Sequence, residues 1–282
     1  MAGIFGFFNF EKEGPGVSKN EKKKRGIIRF FELYFRNFWK LITQSAIYSL
    51  ISIPVVTYGL GEIGLANVTR AIVREKHSFG ASDFFDTVKK NWKKGLLSGI
   101  FNVIVTALLI FDVWFFFPRS GSGTMEVIFT GISMFLLLTF TMMQFYIPML
   151  LITFSLRLVD VYKNAFKFVF INLKRNAVIL LSLALFLAAV FAILWFGGGM
   201  GYAIATLILL FLYPAFRSYL VQYNIFDSIY KYMIEPYYKD RPGEDIEKRL
   251  SLGLPVPEEY MPKYEDDNVF DDERLLPKDE ER

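Results

Sequence analysis

Cysteine is absent from all 282 residues, and histidine occurs once, at His77. The first absence removes disulfide frameworks, thiolate nucleophiles and Cys-based metal sites. The second removes a histidine-based metal site and leaves a histidine general base without companions. There is no phosphate loop and no paired-histidine zinc motif, and Ser and Asp residues occur without a recognisable activating partner, so no cofactor, metal or catalytic residue is expected. Charge is also missing over long distances. Residues 96–117 hold only Asp112, residues 125–154 only Glu126, and residues 177–196 and 197–216 hold none. A fifth stretch, Phe38 to Leu60, carries only Lys40 near its edge before Leu60.

Each of these stretches reaches the roughly 20 apolar residues that a helix needs to cross about 30 Å of hydrocarbon. Composition agrees: 53% hydrophobic and 18% aromatic residues with a mean hydropathy of +0.33 would aggregate on a water-facing surface. The expectation is an all-α, polytopic helical membrane protein. The first apolar patch, Ile4 to Phe10, is too short for a signal-peptide core and is followed by Glu11, Lys12 and Glu13, so the N-terminus is expected to be retained.

Short loops rich in Lys and Arg stay cytoplasmic. Here the cations gather in three places: from Lys19 to Arg36, from Arg70 to Lys94, and from Arg157 to Arg175, whereas Pro118–Thr124 has only Arg119 and Gly197–Gly201 has none. A single span between the first two clusters would place one of them outside. An additional crossing from about Gly59 to Val73 resolves the conflict, set off by Pro54, Gly59, Gly61 and Gly64. With Glu62, Asn67 and Arg70 it is too polar for a lipid-exposed span, and a short or re-entrant helix buried against its neighbours is expected. The count is then six membrane segments with both termini cytoplasmic, in the cell membrane; the alternative is five, with the ends on opposite sides.

A motif recurs before three spans. Phe31, Tyr34, Asn37, Phe38 and Lys40 align with Phe85, Val88, Asn91, Trp92 and Lys94, and with Phe166, Val169, Asn172, Leu173 and Arg175. Such a pattern predicts an amphipathic helix lying in the interface, with its stripe of apolar residues toward acyl chains. Asn, tolerant of left-handed backbone, suits the elbow, and the cation three residues later is expected to reach lipid phosphate. Units near 27–75, 81–158 and 160–225 follow, within a helical membrane domain of 27–234 flanked by an N-terminal segment of 1–26. Independent origin of three similar interfacial helices is the competing account.

From Glu235 onward, 16 acidic against 8 basic residues give a net charge of −8, in a chain whose total is +4. Six prolines in residues 235–282 argue for an extended cytoplasmic tail. The basic clusters lie beside spans, so anionic lipid headgroups rather than nucleic acid are the expected partner. Polar groups at membrane depth are the candidate functional residues: Glu62, Asn67, Arg70, Asp112 and Gln144. Glu62 and Arg70, eight apart, share a helical face and could bracket a polar cavity. Each also has a plainer reading: Asp112 at the outer interface, Arg70 reaching inward, Glu62 bonded to a neighbouring helix.

Several features occur together: Phe38-Trp39-Lys40 opening the first span, Ile53-Pro54-Val55-Val56-Thr57, then Gly59 and Arg70, and the Phe85 to Lys93 stretch ending in Asn91-Trp92-Lys93. In these the chain resembles the YesL-like family of bacterial integral membrane proteins, mainly through its first hundred residues. The resemblance implies association with carbohydrate uptake or sensing and supplies no catalytic residues. The functional expectation is a non-catalytic accessory, assembly or regulatory component beside a transporter or sensor protein. A transporter or channel with a polar path near Glu62 and Arg70, and a membrane enzyme, are the alternatives.

Overall fold

The computed structural model describes residues 26–76, 78–117, 121 and 123–236. The expectations for the N-terminal segment before Gly26, for His77 and for the acidic tail beyond Pro236 lie outside the described residues. Among those described, the elements are helical: α1 (Ile27–Arg36), α2 (Phe38–Ser52), α3 (Tyr58–Val73), α4 (Ala81–Phe116), α5 (Thr124–Thr153), α6 (Leu158–Ile171), α7 (Leu173–Phe196), α8 (Gly198–Leu207) and α9 (Tyr213–Ile229). No strand occurs among them.

Four helical stretches are long and apolar enough to cross a membrane: α4, α5, α7 and the run Gly198–Ile234. Their outward faces carry Phe101, Leu108, Trp114, Leu181, Leu185 and Trp195, all more than two-fifths exposed. A soluble surface does not sustain apolar area on this scale, whereas a bilayer requires it. The protein is membrane-embedded.

The expected first span, Phe38 to Leu60, is interrupted. Helix α2 ends at Ser52, Pro54 is extended, a single 3-10 turn covers Val55–Thr57, and α3 begins at Tyr58. Proline at 54 lacks the N–H that would continue α2. Thr57 secures the corner, its Oγ1 donating to the carbonyls of Ile51 and Pro54.

The glycines of α3, expected to mark a break, lie instead within a regular helix and make it packable. A Cβ on Gly59 would fall 2.6 Å from Gly99 Cα, one on Gly61 would meet the Tyr48 ring, and one on Gly64 the Phe84 ring. Gly95 and Gly99, four apart on α4, complete the close crossing with Gly59. Small residues let backbones approach where lipid supplies no hydrophobic drive for helix pairing. α3 is consequently buried along most of its length.

The three elbows share one backbone geometry. Asn37, Asn91 and Asn172 have φ/ψ of −107°/17°, −118°/15° and −113°/31°. This is the bridge region and not the left-handed conformation expected from the residue type. A reason is visible at two of them: Asn37 Nδ2 donates to Leu33 O at 2.9 Å and Asn91 Nδ2 to Thr87 O at 3.1 Å, each side-chain amide folding back onto the preceding turn. The interfacial stripe also divides. Phe31, Phe35 and Trp39 are exposed, but Tyr34 is buried, with its ring centroid 5.5 Å from that of Tyr219 on α9, and Val169 is likewise buried on α6.

Pro214, inside the last helical run, cannot donate to Leu210 O, and a π-helical turn at Ile208–Leu212 precedes it. Ser49 of α2 donates to that carbonyl at 2.7 Å, and Ser45 Oγ accepts from the Ala215 N–H at 2.9 Å. Two serines one turn apart thus satisfy backbone groups that hydrocarbon could not. The segment from Phe226 onward forms a second compact unit. Its described part holds the last turn of α9 and a π-helical turn, Tyr230–Ile234, in which Lys231 Nζ lies 5.8 Å from the Tyr232 ring centroid.

Candidate functional site

Three helices converge on one ion pair. Glu62 on α3 accepts from Arg217 on α9, with side chains 12% and 15% exposed, and from the Tyr48 hydroxyl of α2 at 2.7 Å. Tyr58, at the start of α3, is buried beside both members of the pair. A carboxylate at this depth needs a counter-charge and further donors, because isolated ionisation in low dielectric costs many kcal/mol. Arg217 supplies the first and the tyrosine hydroxyl the second.

Sequence reading did not identify Arg217. The apolar stretch was bounded at Phe216, one residue short. A signal existed, because Arg217 is followed by Ser218, Tyr219, Leu220 and Val221 and lies ten residues from the next charge, Asp227, unlike the clustered cations of an interface.

Glu62 and Arg70 bond to different partners. Arg70 Nη2 donates to Asn67 Oδ1 at 2.8 Å and its Nη1 to Thr153 Oγ1 of α5 at 2.9 Å, forming a separate cluster near the end of α3. Asn67 completes it with a long bond of 3.4 Å from Nδ2 to Asp83 O. Eight residues put both groups on one face but also about 12 Å apart along the axis. Gln144 donates to Thr106 Oγ1 of α4 at 2.8 Å and borders the Glu62 cluster. Asp112, half-buried near the end of α4, belongs to neither cluster.

Beside the ion pair is a cavity of about 10 Å³ bordered by Glu62, Gln144, Arg217, Ser218 and Gln222. That volume accommodates one water at most. Gln222 is 2% exposed and its Oε1 has no hydrogen-bond partner, so a water there would supply a missing donor. On the other side of Arg217 and Gln144 lies a larger crevice of about 280 Å³ between α5, α7 and α9.

The elbow cations do not extend to lipid. Lys40 Nζ donates to Ser78 O, Lys94 Nζ to Leu156 O at 2.8 Å, and Arg175 Nη1 to Asn224 O at 2.8 Å. In each case a cation at the start of a hairpin binds main-chain oxygen at the end of the same hairpin. The segment that closes the first hairpin is strongly cationic: Arg29 and Arg36 of α1 flank Glu75, at 2.7 and 3.6 Å. Partial burial, followed by the nearby Arg74 and Arg70, holds the Lys76 ammonium below the ordinary lysine range.

The model of a family described as "Protein of unknown function, DUF624" matches residues 44–113. This is less than half of the chain and is consistent with the resemblance to YesL-like proteins. The match takes in Tyr48, Tyr58, Glu62 and the second elbow but stops well short of Arg217. No curated protein and no solved structure matches the chain.

Proposed function

We propose that this protein is a non-catalytic scaffold of the cell membrane, with six membrane segments and both termini cytoplasmic, acting as an accessory, assembly or regulatory component beside another membrane protein. The observation that carries the reading is the closure of its deepest charges on one another. Glu62 is bonded by both Arg217 and Tyr48, and the cavity that borders Glu62 is of about 10 Å³, while of the pair the larger crevice reaches Arg217 alone. A conduit needs exchangeable polar surface at such a point, whereas a structural pin needs saturation. The separation of the remaining polar groups into distinct clusters likewise supports binding over catalysis, which calls for convergent ionisable groups at one reacting position.

The three cation-to-carbonyl clips support the topology. Each joins the first turn of a hairpin to its last residues, which supports a return of each hairpin to the membrane face from which it entered. Three such units give an even count, and equal elbow geometry supports the three repeats at 27–75, 81–158 and 160–225. Helices α2 and α3, 15 and 16 residues long, rise only about 23 Å each, which suits a shortened hairpin enclosed by neighbours. Basic residues beside the elbows favour anionic headgroups. The carbohydrate setting rests on the resemblance alone.

The experiment is crosslinking in native membranes, with partner identification for the full chain and for one lacking residues 235–282. A stoichiometric membrane partner is expected; recovery of a lone species after gentle extraction and crosslinking would overturn the reading. Transport remains a second reading, favoured by Gln144 and Gln222 lining the same small cavity as Glu62. It predicts solute flux in reconstituted vesicles that changes in Glu62→Gln, whereas the scaffold predicts no flux in either.

A further inference from the structure

The cations that close the hairpins are spent on the protein's own carbonyls, yet in two of the three units another lysine stands one position earlier. Lys93 precedes Lys94 and Lys174 precedes Arg175, each two residues beyond its elbow asparagine, where the first unit has Trp39. Lys89 and Lys90 lie just before the second elbow, and Lys163 and Lys167 on α6 before the third. All six are exposed. None forms an ion pair with a carboxylate among the described residues, although Lys93 Nζ lies 5.6 Å from the Trp92 ring centroid.

The acids on the same stretches are engaged toward the N-terminal ends of their helices, where the helix dipole favours them. Asp83 accepts from the Phe79 N–H at 2.9 Å, Asp86 from Ser82 over a long 3.4 Å, and Asp160 pairs with Arg157 at 2.9 Å. Lys163 and Lys167, four apart on α6, share a helical face and repel. Helix α1 differs, because its Arg29 and Arg36 share Glu75. Two banks of unmatched ammonium groups thus flank the second and third elbows, and like charges gathered without a counter-charge attract an anion from outside. The neighbouring apolar side chains say which anion. Phe85 and Trp92 are exposed beside the first bank, Phe166 and Phe170 beside the second. Rings and ammonium groups presented together at the foot of a membrane span fit the level where acyl chains give way to headgroups. An acidic protein segment would match the lysines and leave the rings uncovered.

We infer that these six lysines form two headgroup-binding banks that gather anionic phospholipid at the second and third units, with Lys93 and Lys174 taking the phosphate contact that the clip cations Lys94 and Arg175 forgo. The inference names the lipid class around the scaffold proposed above and rests on that reading for placing the elbows at the membrane surface. It makes the three units unequal: all clip their hairpins, and two of them also collect lipid charge.

The test reconstitutes the full chain in phosphatidylcholine bilayers carrying spin-labelled phosphatidylglycerol or spin-labelled phosphatidylcholine, and reads the motionally restricted fraction of each label by electron spin resonance. Selectivity for phosphatidylglycerol is expected, about fivefold at each bank, the factor set by one lysine beside an anionic surface. It should fall toward unity as salt approaches about 1 M, where the screening length is about 3 Å. Replacing Lys89, Lys90 and Lys93 by Gln should remove part of the selectivity, replacing Lys163, Lys167 and Lys174 by Gln another part, and the combined variant nearly all of it, while the same six positions changed to Arg retain it. Equal restriction of both labels, selectivity undiminished in the folded six-Gln variant, or loss in the six-Arg variant as well would each overturn the inference. So would abolition by soluble polyglutamate at an ionic strength where sodium glutamate has no effect, which would assign the lysines to an acidic protein segment. No partner protein is present in this assay, so its failure and that of the scaffold reading are separate results.

Discussion

At the scale of single residues, energetics are dominated by what burial does to charge. Removing one partner of a buried pair leaves the other uncompensated, at a cost of about 3–5 kcal/mol, whereas removing both with volume retained is often close to neutral. Arg217→Met and Glu62→Gln should therefore each lower stability strongly, and the double variant should recover most of the loss. Detergent-solubilised thermal unfolding of all four forms measures the coupling; simple additivity would show that the pair contributes nothing as a pair. Glycine offers a second contrast. At Gly59 a side chain collides with the α4 backbone, while a Cβ at Gly131 meets nothing within 4 Å. Gly59→Leu should destabilise by at least about 1–3 kcal/mol through overpacking, and Gly131→Ala should be neutral or slightly stabilising, read by the same unfolding assay.

At the scale of elements, the interfacial helix, the Asn elbow and the clip form a working unit. The elbow works because a bridge-region residue turns the chain while its own amide reaches back to the last turn, as at Asn37 and Asn91. The clip then gives a main-chain carbonyl a charged donor, a hydrogen bond class worth about 1.5–3 kcal/mol. Lys94→Met should lose an amount of that order and loosen the α5–α6 junction around Leu156, with faster amide exchange there, while Lys94→Arg should retain most of it. If the units are equivalent, Lys40→Met and Arg175→Met will show the same local effect at Ser78 and Asn224. The positions of these elbows were legible beforehand, because Asn and the cation recur at one spacing. Their carbonyl partners were not: every residue has a carbonyl, so acceptance carries no residue signature.

At the scale of the whole molecule, the lack of cysteine makes sidedness directly measurable. Single cysteines introduced at Val55, Gly121 and Gly199 should react with a membrane-impermeant maleimide in sealed cells, and cysteines at Phe79 and Arg157 should react only after permeabilisation. Reaction of the Phe79 position from outside would remove the α2–α3 hairpin from the topology and leave an odd count. Long helices were predictable within a few residues, as α5 and α7 show, since one apolar run is enough to specify each. The α2–α3 hairpin was located only approximately, because Gly59, Gly61 and Gly64 read as punctuation in sequence and act as packing surface against α2 and α4 in space.

Sequence alone determined the solvent, the helical class and the polarised charge of this protein, because transfer of apolar residues out of water depends on local composition and length, both of which are visible along the chain. The tertiary structure alone decided which polar groups meet. Glu62 and Arg217 are 155 positions apart, and Arg70, which shares a helix with Glu62, turns to Thr153 instead. Electrostatic pairing falls off with distance in space, and distance in space is fixed only when the glycine-lined crossings and serine-capped proline of the folded bundle bring remote segments together.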